Sequence, residues 1–470
     1  MLYNKFSPNP QLEVLFNYVT TNFRFFKEQK YFLSAYKELG IDGLLSKSNI
    51  KKRNGCDVSK IFSILLSLVF YNKNLYSYLN SGKADTSISK NTYYRFLENL
   101  TYRWWHLLSR LAISVISFFQ SLTGAGRVSC LILDDTVFSR NRSKKVEFLS
   151  RIFDHASHKY LRGFSMVTLG WTDSFSFVPV DFALVGSSKE KNIYSKEMKK
   201  LDHRSYMHRK YSQITQPKPK IASNMIKNIL NLGVRADYVL MDSWYANEPL
   251  LHELVEEGID VIGMLKNGRQ KYCYKGENYT LKELSVIAKS GDSRKKKASI
   301  IVKTSKYNIP VKIVFVKHRS LGNRNLHFIS TDCSTDEDEI LRIYGYRWQI
   351  EVFFKSVKSC LGLASEFQCR YYSAICAHTT IVFTRFIILE WLRRKEKDDR
   401  TLGGLFLLMC DEVRDMDLKA ALQNIALLLM KSIEKLSQQF TEEILKQVQL
   451  FFFEQPRYIQ QLLGFLKWES

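Results

Sequence analysis

Tyr344-Gly345-Tyr346-Arg347-Trp348-Gln349-Ile350-Glu351-Val352-Phe353-Phe354-Lys355-Ser356-Val357-Lys358 is the stretch on which the reading of this chain turns. At about 100° per residue, Tyr344, Arg347, Glu351, Lys355 and Lys358 fall on one narrow helical stripe. Ile343, Ile350, Phe353, Phe354, Val357 and Leu361 cover much of the opposite side. One face therefore packs, and the other presents a single carboxylate among cations. Such a face suits phosphates gathered around a metal-binding acid. The ordinary alternative is the solvated charged face of an amphipathic helix. Asp336 to Glu339 stand where the helical region opens, and acids are favourable at a helix N-terminus.

Two upstream acids stand in matching settings. Val128-Ser-Cys-Leu-Ile-Leu-Asp134-Asp135-Thr136 is a short apolar run ending in carboxylates, as a buried strand with acids at its C-terminal end would. Ala236-Asp-Tyr-Val-Leu-Met-Asp242-Ser-Trp-Tyr245 repeats the pattern, and a helix with a glycine stop at Gly258 follows it. Open α/β sheets carry their chemistry at the carboxyl ends of strands. Neighbouring strand residues point to opposite faces, so Asp134 and Asp135 do not serve one site together, and the spacing alone leaves open which of them does.

Taken together, these motifs resemble the Y-(2)-R-(3)-E-(6)-K signature of a large branch of bacterial insertion-sequence transposases with an RNase H-like core and a DDE triad. In that family the first acid commonly stands two residues before Thr or Ser, which favours Asp134 with Thr136. The resemblance implies a catalytic, metal-holding triad of Asp134, Asp242 and Glu351, with two Mg²⁺ ions (or Mn²⁺) as cofactors. Tyr344, Arg347, Lys355 and Lys358 would then contact DNA. It further implies cleavage at the element's ends, transfer of the freed 3′-OH to target DNA, and a homodimer on double-stranded DNA. Some relatives use a Trp in a β-rich insertion to receive a flipped base. This chain has no Trp between Trp244 and Trp348, which leaves Tyr307, Phe315 or Phe328 to stack. The rival readings are another RNase H-like nuclease and a non-enzymatic DNA-binding protein derived from a transposase.

Composition agrees. Lys and Arg number 70 against 46 acids, a formal charge of +24, which points to a polyanionic partner. The basic residues are distributed: Lys51 to Arg53, Lys144-Lys145, Lys199-Lys200, Arg294 to Lys297 and Arg393 to Lys395. Such spread suits a long duplex. Eight cysteines show no CxxC, so no disulfide framework or zinc site is expected, and Cys130 and Cys376 read as buried small hydrophobes. His155 and His158 lack ligand-spaced partners and read as structural. No signal-peptide pattern or membrane span is expected, since the stretch Ile381 to Leu392 is interrupted by Arg385. The expected location is cytoplasmic and nucleoid-associated.

The fold class expected is α/β, an RNase H-like catalytic core with a β-rich insertion, flanked by helical N- and C-terminal regions. Residues 1–122 read as a helical DNA-end-binding domain, with a capped helix near 87–98 offering Lys90, Tyr93 and Arg95 as a reading element. Residues 123–365 read as the catalytic domain, with strands near 128–134, 164–171, 177–184, 237–241 and 259–264. A basic loop or flap is expected over 187–220. The β-rich insertion spans about 267–334. The acid spacings, 242 − 134 = 108 and 351 − 242 = 109, require an interruption of that size before the Glu. Residues 366–470 read as further helices, for dimerisation or DNA contacts.

Overall fold

A computed structural model describes residues 32–414, apart from 53, 82–83, 125, 156, 196–200, 203–204, 291–296, 318–324 and 367–368, together with 447, 450 and 454. The expectations for residues 1–31 and for most of the chain after 414 lie outside the described residues. So do Arg53, Lys199, Lys200 and Arg294 to Lys296.

The described elements, in chain order, begin with the helices α1 (Phe32–Glu38), α2 (Ile41–Lys47), α3 (Val58–Ser67), α4 (Leu75–Leu79), α5 (Lys90–Leu97) and α6 (Trp104–Ser121). Strands β1 (Cys130–Ser139), β2 (Ser150–Asp154), β3 (Lys159–Thr172) and β4 (Phe177–Val185) follow, then α7 (Tyr206–Gln213), α8 (Lys218–Asn231), β5 (Tyr238–Met241), α9 (Glu248–Glu256) and β6 (Asp260–Leu265). Next come β7 (Lys271–Tyr274), β8 (Glu277–Thr280), α10 (Leu281–Ala288), β9 (Lys297–Thr304), β10 (Pro310–Lys317) and β11 (Asn325–Ser330). The last are α11 (Glu337–Gly345), α12 (Trp348–Ser359) and α13 (Tyr372–Lys395).

The chain divides into two compact units. One comprises Met1–Glu38, Phe70–Asn72 and Gly404–Ser470. Within it Phe32 meets Phe70 edge-on at 4.8 Å, and Phe70 meets Phe406 at 5.8 Å. The other, Leu39–Val69 and Lys73–Gly403, holds the sheet.

All eleven strands join one mixed sheet. Its first part is the RNase H-like arrangement. β1, β3 and β4 pair antiparallel, and β5 and β6 then add parallel on the other side of β1. Apolar runs buried on both faces explain this centre: Phe164 to Thr172 of β3 and all of β4 are buried. The inserted strands do not form a separate sheet. β11 pairs with β6, and β10, β9, β7 and β8 follow in order, so the β-rich insertion extends the catalytic sheet edgewise.

α13 is buried on every side from Tyr372 to Leu392 and largely apolar, as a core helix is. By length and composition it could cross a membrane, yet it lies inside the fold. Its one central cation is fully paired. Arg385 donates to both oxygens of Glu366 at 2.8 Å and to the carbonyls of Leu65, Leu66 and Leu361. A buried guanidinium with fewer partners would be costly.

Several expectations need correction. β1 runs on to Ser139, so Asp134 lies within a strand rather than at its end. A short strand, β2, stands where none was expected. The basic segment 187–220 is not one loop, because it contains α7 and the start of α8. The insertion also holds a helix, α10, opened by a capping box between Thr280 and Glu283. The signature region is two helices rather than one. Backbone bonds of the i→i+3 type at Tyr346, Arg347, Gln349 and Ile350 tighten the chain between α11 and α12. Tyr93 is fully buried and cannot read DNA, while Lys90 and Arg95 are exposed. Cys130 and Cys376 are buried as expected.

Candidate active site

The sheet register builds the site. Leu133 of β1 pairs with Met241 of β5, the last residue of that strand. The residue that follows each of these is an acid, Asp134 still on β1 and Asp242 just past β5, so the two stand side by side where the parallel pairing ends. Adjacent strands lie about 4.8 Å apart, which brings the two carboxylates to one place. Asp242 is held by the turn that leaves β5, its Oδ1 accepting from the backbone N–H of Trp244 at 3.0 Å and of Tyr245 at 3.2 Å. Asn247 then caps α9.

α12 brings the third acid. Its first turn is fixed by Gln349, which accepts from Thr172 Oγ1 at 2.5 Å and donates to the Ser174 carbonyl at 2.6 Å. Phe353 packs below against Phe177, Phe383 and Phe386. Arg347 is thereby aimed at the carboxylates. Its Nη1 lies 2.7 Å from Asp134 Oδ2, and its Nη2 lies 3.0 Å from Glu351 Oε1. One guanidinium therefore links the first and third acids. Among the described residues, no three His, Cys, Asp or Glu side chains lie close enough together to hold a metal ion, and Arg347 fills the space between Asp134 and Glu351.

The electrostatics mark this cluster as under-compensated. Burial pushes the Asp134 carboxyl up to about 7; Arg347 opposes the shift, and the charges of Asp242 and Asp135 add to it. Burial also raises Asp242. Beside Asp134 on β3, buried Thr168 Oγ1 has no hydrogen-bond partner among the described residues. Two adjacent hard-oxygen donors with raised affinity for a positive charge fit a divalent cation such as Mg²⁺.

Asp135 points the other way, as alternation requires. It accepts from Ser165 Oγ at 2.6 Å, Lys218 Nζ at 2.6 Å and Tyr245 OH at 3.1 Å. Nothing in the sequence pattern revealed Lys218 or Gln349 as supports of the site.

The remaining stripe residues are divided. Tyr344 is buried, its ring 4.9 Å from Phe328, and burial foremost pushes its hydroxyl up to about 12 beside Asp242 and Asp134. Lys355 is exposed. Lys358 donates to Thr136 Oγ1 at 2.6 Å, which ties the end of α12 to β1. Two of the three expected stacking residues are buried. Phe315 is fully buried, Phe328 packs on Tyr344, and Tyr307 stacks on His252 at 4.2 Å. Trp244, next to the Asp242 turn, is exposed, with Lys218 Nζ 5.0 Å from its ring centre.

Comparison with known proteins agrees with this geometry. Residues 78–296 match the family model described as DDE superfamily endonuclease, and residues 213–384 match the transposase DDE domain. No curated protein matches the chain. The two matches overlap over residues 213–296 and support a DDE-superfamily transposase/endonuclease domain, a class of domain that acts on DNA and uses divalent metals.

Proposed function

We propose that this chain is an insertion-sequence transposase of the Y-(2)-R-(3)-E-(6)-K branch, which cuts DNA at the ends of its element and joins the freed 3′-OH to target DNA. The observation that carries this reading is the meeting of Asp134 and Asp242 on adjacent parallel strands, with Arg347 joining Asp134 to Glu351. Asp134, Asp242 and Glu351 would hold two Mg²⁺ or Mn²⁺ ions. When bound, these activate the attacking hydroxyl and stabilise the leaving oxygen of an in-line displacement.

The protein's own groups then have separate tasks. Asp134 and Asp242 are fixed by strand register. Glu351 stands on α12, and its present partner, Arg347, is a planar fork suited to a phosphate. Lys355 and Lys358 continue the cationic side of the same helix, and the Tyr344 hydroxyl borders the acids from the interior. The N-terminal region 1–122 would bind element ends, and the region 366–470 would serve dimerisation or further DNA contacts. The working location is the bacterial cytoplasm, on nucleoid DNA.

The test uses a linear fragment carrying the coding region with its flanking DNA. Purified protein with Mg²⁺ should cut at inverted repeats on both sides, leave 3′-OH ends and join them to a supercoiled plasmid. Ca²⁺ should support little chemistry. Cuts unrelated to the flanks, with no joining, would instead favour a general RNase H-like nuclease. Undiminished cutting in excess EDTA would remove the metal from the reading.

A further inference from the structure

The hairpin formed by β2 and β3 projects past the part of β3 that pairs with β1. Arg151 of β2 is directly opposite Arg162 of β3, and Phe153 is opposite Tyr160. Alternation places these four side chains on one face of the hairpin. Like charges directly opposite each other destabilise a strand pair. Neither arginine forms an ion pair with a carboxylate among the described residues. Instead each lies on an exposed ring. Arg151 stands 4.0 Å from the centre of Tyr160, which is 59% exposed, and Arg162 stands 4.9 Å from the centre of Tyr194, which is 47% exposed. Stacking holds a guanidinium in place while leaving its N–H edge free to donate.

The hairpin is also well placed. Arg162 lies six residues along β3 from Thr168, the partner of Asp134, a distance of about 20 Å at strand rise. That is roughly six base pairs of duplex at about 3.4 Å each. Gly163 fixes the departure: a Cβ there would meet the Phe138 carbonyl oxygen at 2.1 Å, so the strand passes hard against the end of β1. Asp154 at the end of β2 acts electrostatically on Lys358, so the hairpin neighbours the far end of α12.

We propose that this hairpin is a second DNA-contact surface, on which Arg151 and Arg162 hold backbone phosphates of the duplex running away from the cut. The proposal rests on the reading of the chain as a DNA-cutting enzyme and adds a site to it.

The test measures binding of the full chain to a fluorescein-labelled duplex of arbitrary sequence, thirty base pairs long, over a salt series in EDTA. Each phosphate contact contributes about 0.9 to the log–log slope. R151A/R162A should lower the slope by about two units, and R151K/R162K should keep it. K355A/K358A serves as the comparison within the site. An unchanged slope for R151A/R162A removes the hairpin from DNA binding. If K355A/K358A lowers the slope at the same time, the DNA-cutting reading survives without it. Equal falls in the alanine and lysine pairs would indicate damaged folding rather than lost contacts, and would also overturn the proposal. Failure of the unaltered chain to bind the duplex would end both readings.

Discussion

Asp134 and Asp135 are consecutive on one strand, yet the two faces of β1 treat them differently. On one face Asp135 has a hydroxyl, an ammonium and a phenol as donors, and its charge is matched. On the other, half-buried Asp134 stands beside a second acid and shares a single guanidinium with a third. Both acids are held firmly, but only one cluster stands to gain from a further cation. The degree of compensation, more than exposure or position, separates a structural carboxylate from one suited to chemistry.

The largest effect that could break this comparison is on cleavage. Asp134→Asn or Asp242→Asn should slow single-turnover cutting by roughly 10³-fold, on the scale seen when a group that stabilises transition-state charge is removed. Asp135→Asn should leave it within about tenfold. The reverse order would move the reactive centre to the other face.

Stability should show the opposite ranking. Asp135→Asn leaves the Lys218 ammonium and the Tyr245 hydroxyl poorly matched and should cost about 1–3 kcal/mol in chemical denaturation. For Asp134 the sign depends on pH. Its carboxyl titrates higher in the fold than in the unfolded chain, so the fold binds that proton more tightly. The associated stability is present below about pH 4 and fades as pH rises towards 7. The stability difference between Asp134→Asn and the unaltered protein should therefore shift in the variant's favour between pH 5 and pH 8. No such shift would mean that Asp134 is not held in the protonated range.

Metal binding sharpens the contrast further. A cation on Asp134 must displace its proton, so Mn²⁺ affinity measured by calorimetry should strengthen by up to about tenfold per pH unit below 7 and level off above it. Asp135→Asn should leave that profile in place. A profile flat between pH 5.5 and 8 would separate the metal from Asp134.

The smallest expected effect belongs to Lys358, which reaches β1 through Thr136. Lys358→Ala should lower the salt slope of duplex binding by about one unit. Asp135→Asn should not change it.

Much of this was legible because local pattern and long-range placement coincide. Apolar runs ending in Asp134 and Asp242 announce parallel strands, and register alone then joins the two acids. The spacing from Arg347 to Glu351 is a helical repeat that survives the break before it. What was hidden depends on partners far along the chain. Lys218 is 83 residues from Asp135, and Arg347 is 213 from Asp134, so alternation says that the two acids face apart without saying which face holds which cation. The break at Tyr346 and Arg347 was concealed because every residue there keeps right-handed helical backbone angles, which leaves the apolar spacing nearly intact. α7 went unread because residues 206–213 are largely polar, with Met207 and Tyr211 the only buried side chains. Tyr344 lies on the charged stripe by spacing, yet it is buried against Phe328, which comes from the insertion.

The edgewise joining of β11 to β6 has a consequence for how such a chain can be shortened. β6 carries Val261, Ile262 and Leu265, all buried. Without the strands beyond it, these residues would stand on an open border whose unpaired amides and carbonyls invite other chains to attach. The insertion moves that border outward to β8, four residues with two exposed polar positions at Glu277 and Asn278. Trimming the protein to its catalytic strands would therefore exchange a short, wet rim for an adhesive one. The inserted segment acts as a selvage that keeps the woven sheet from catching on its neighbours.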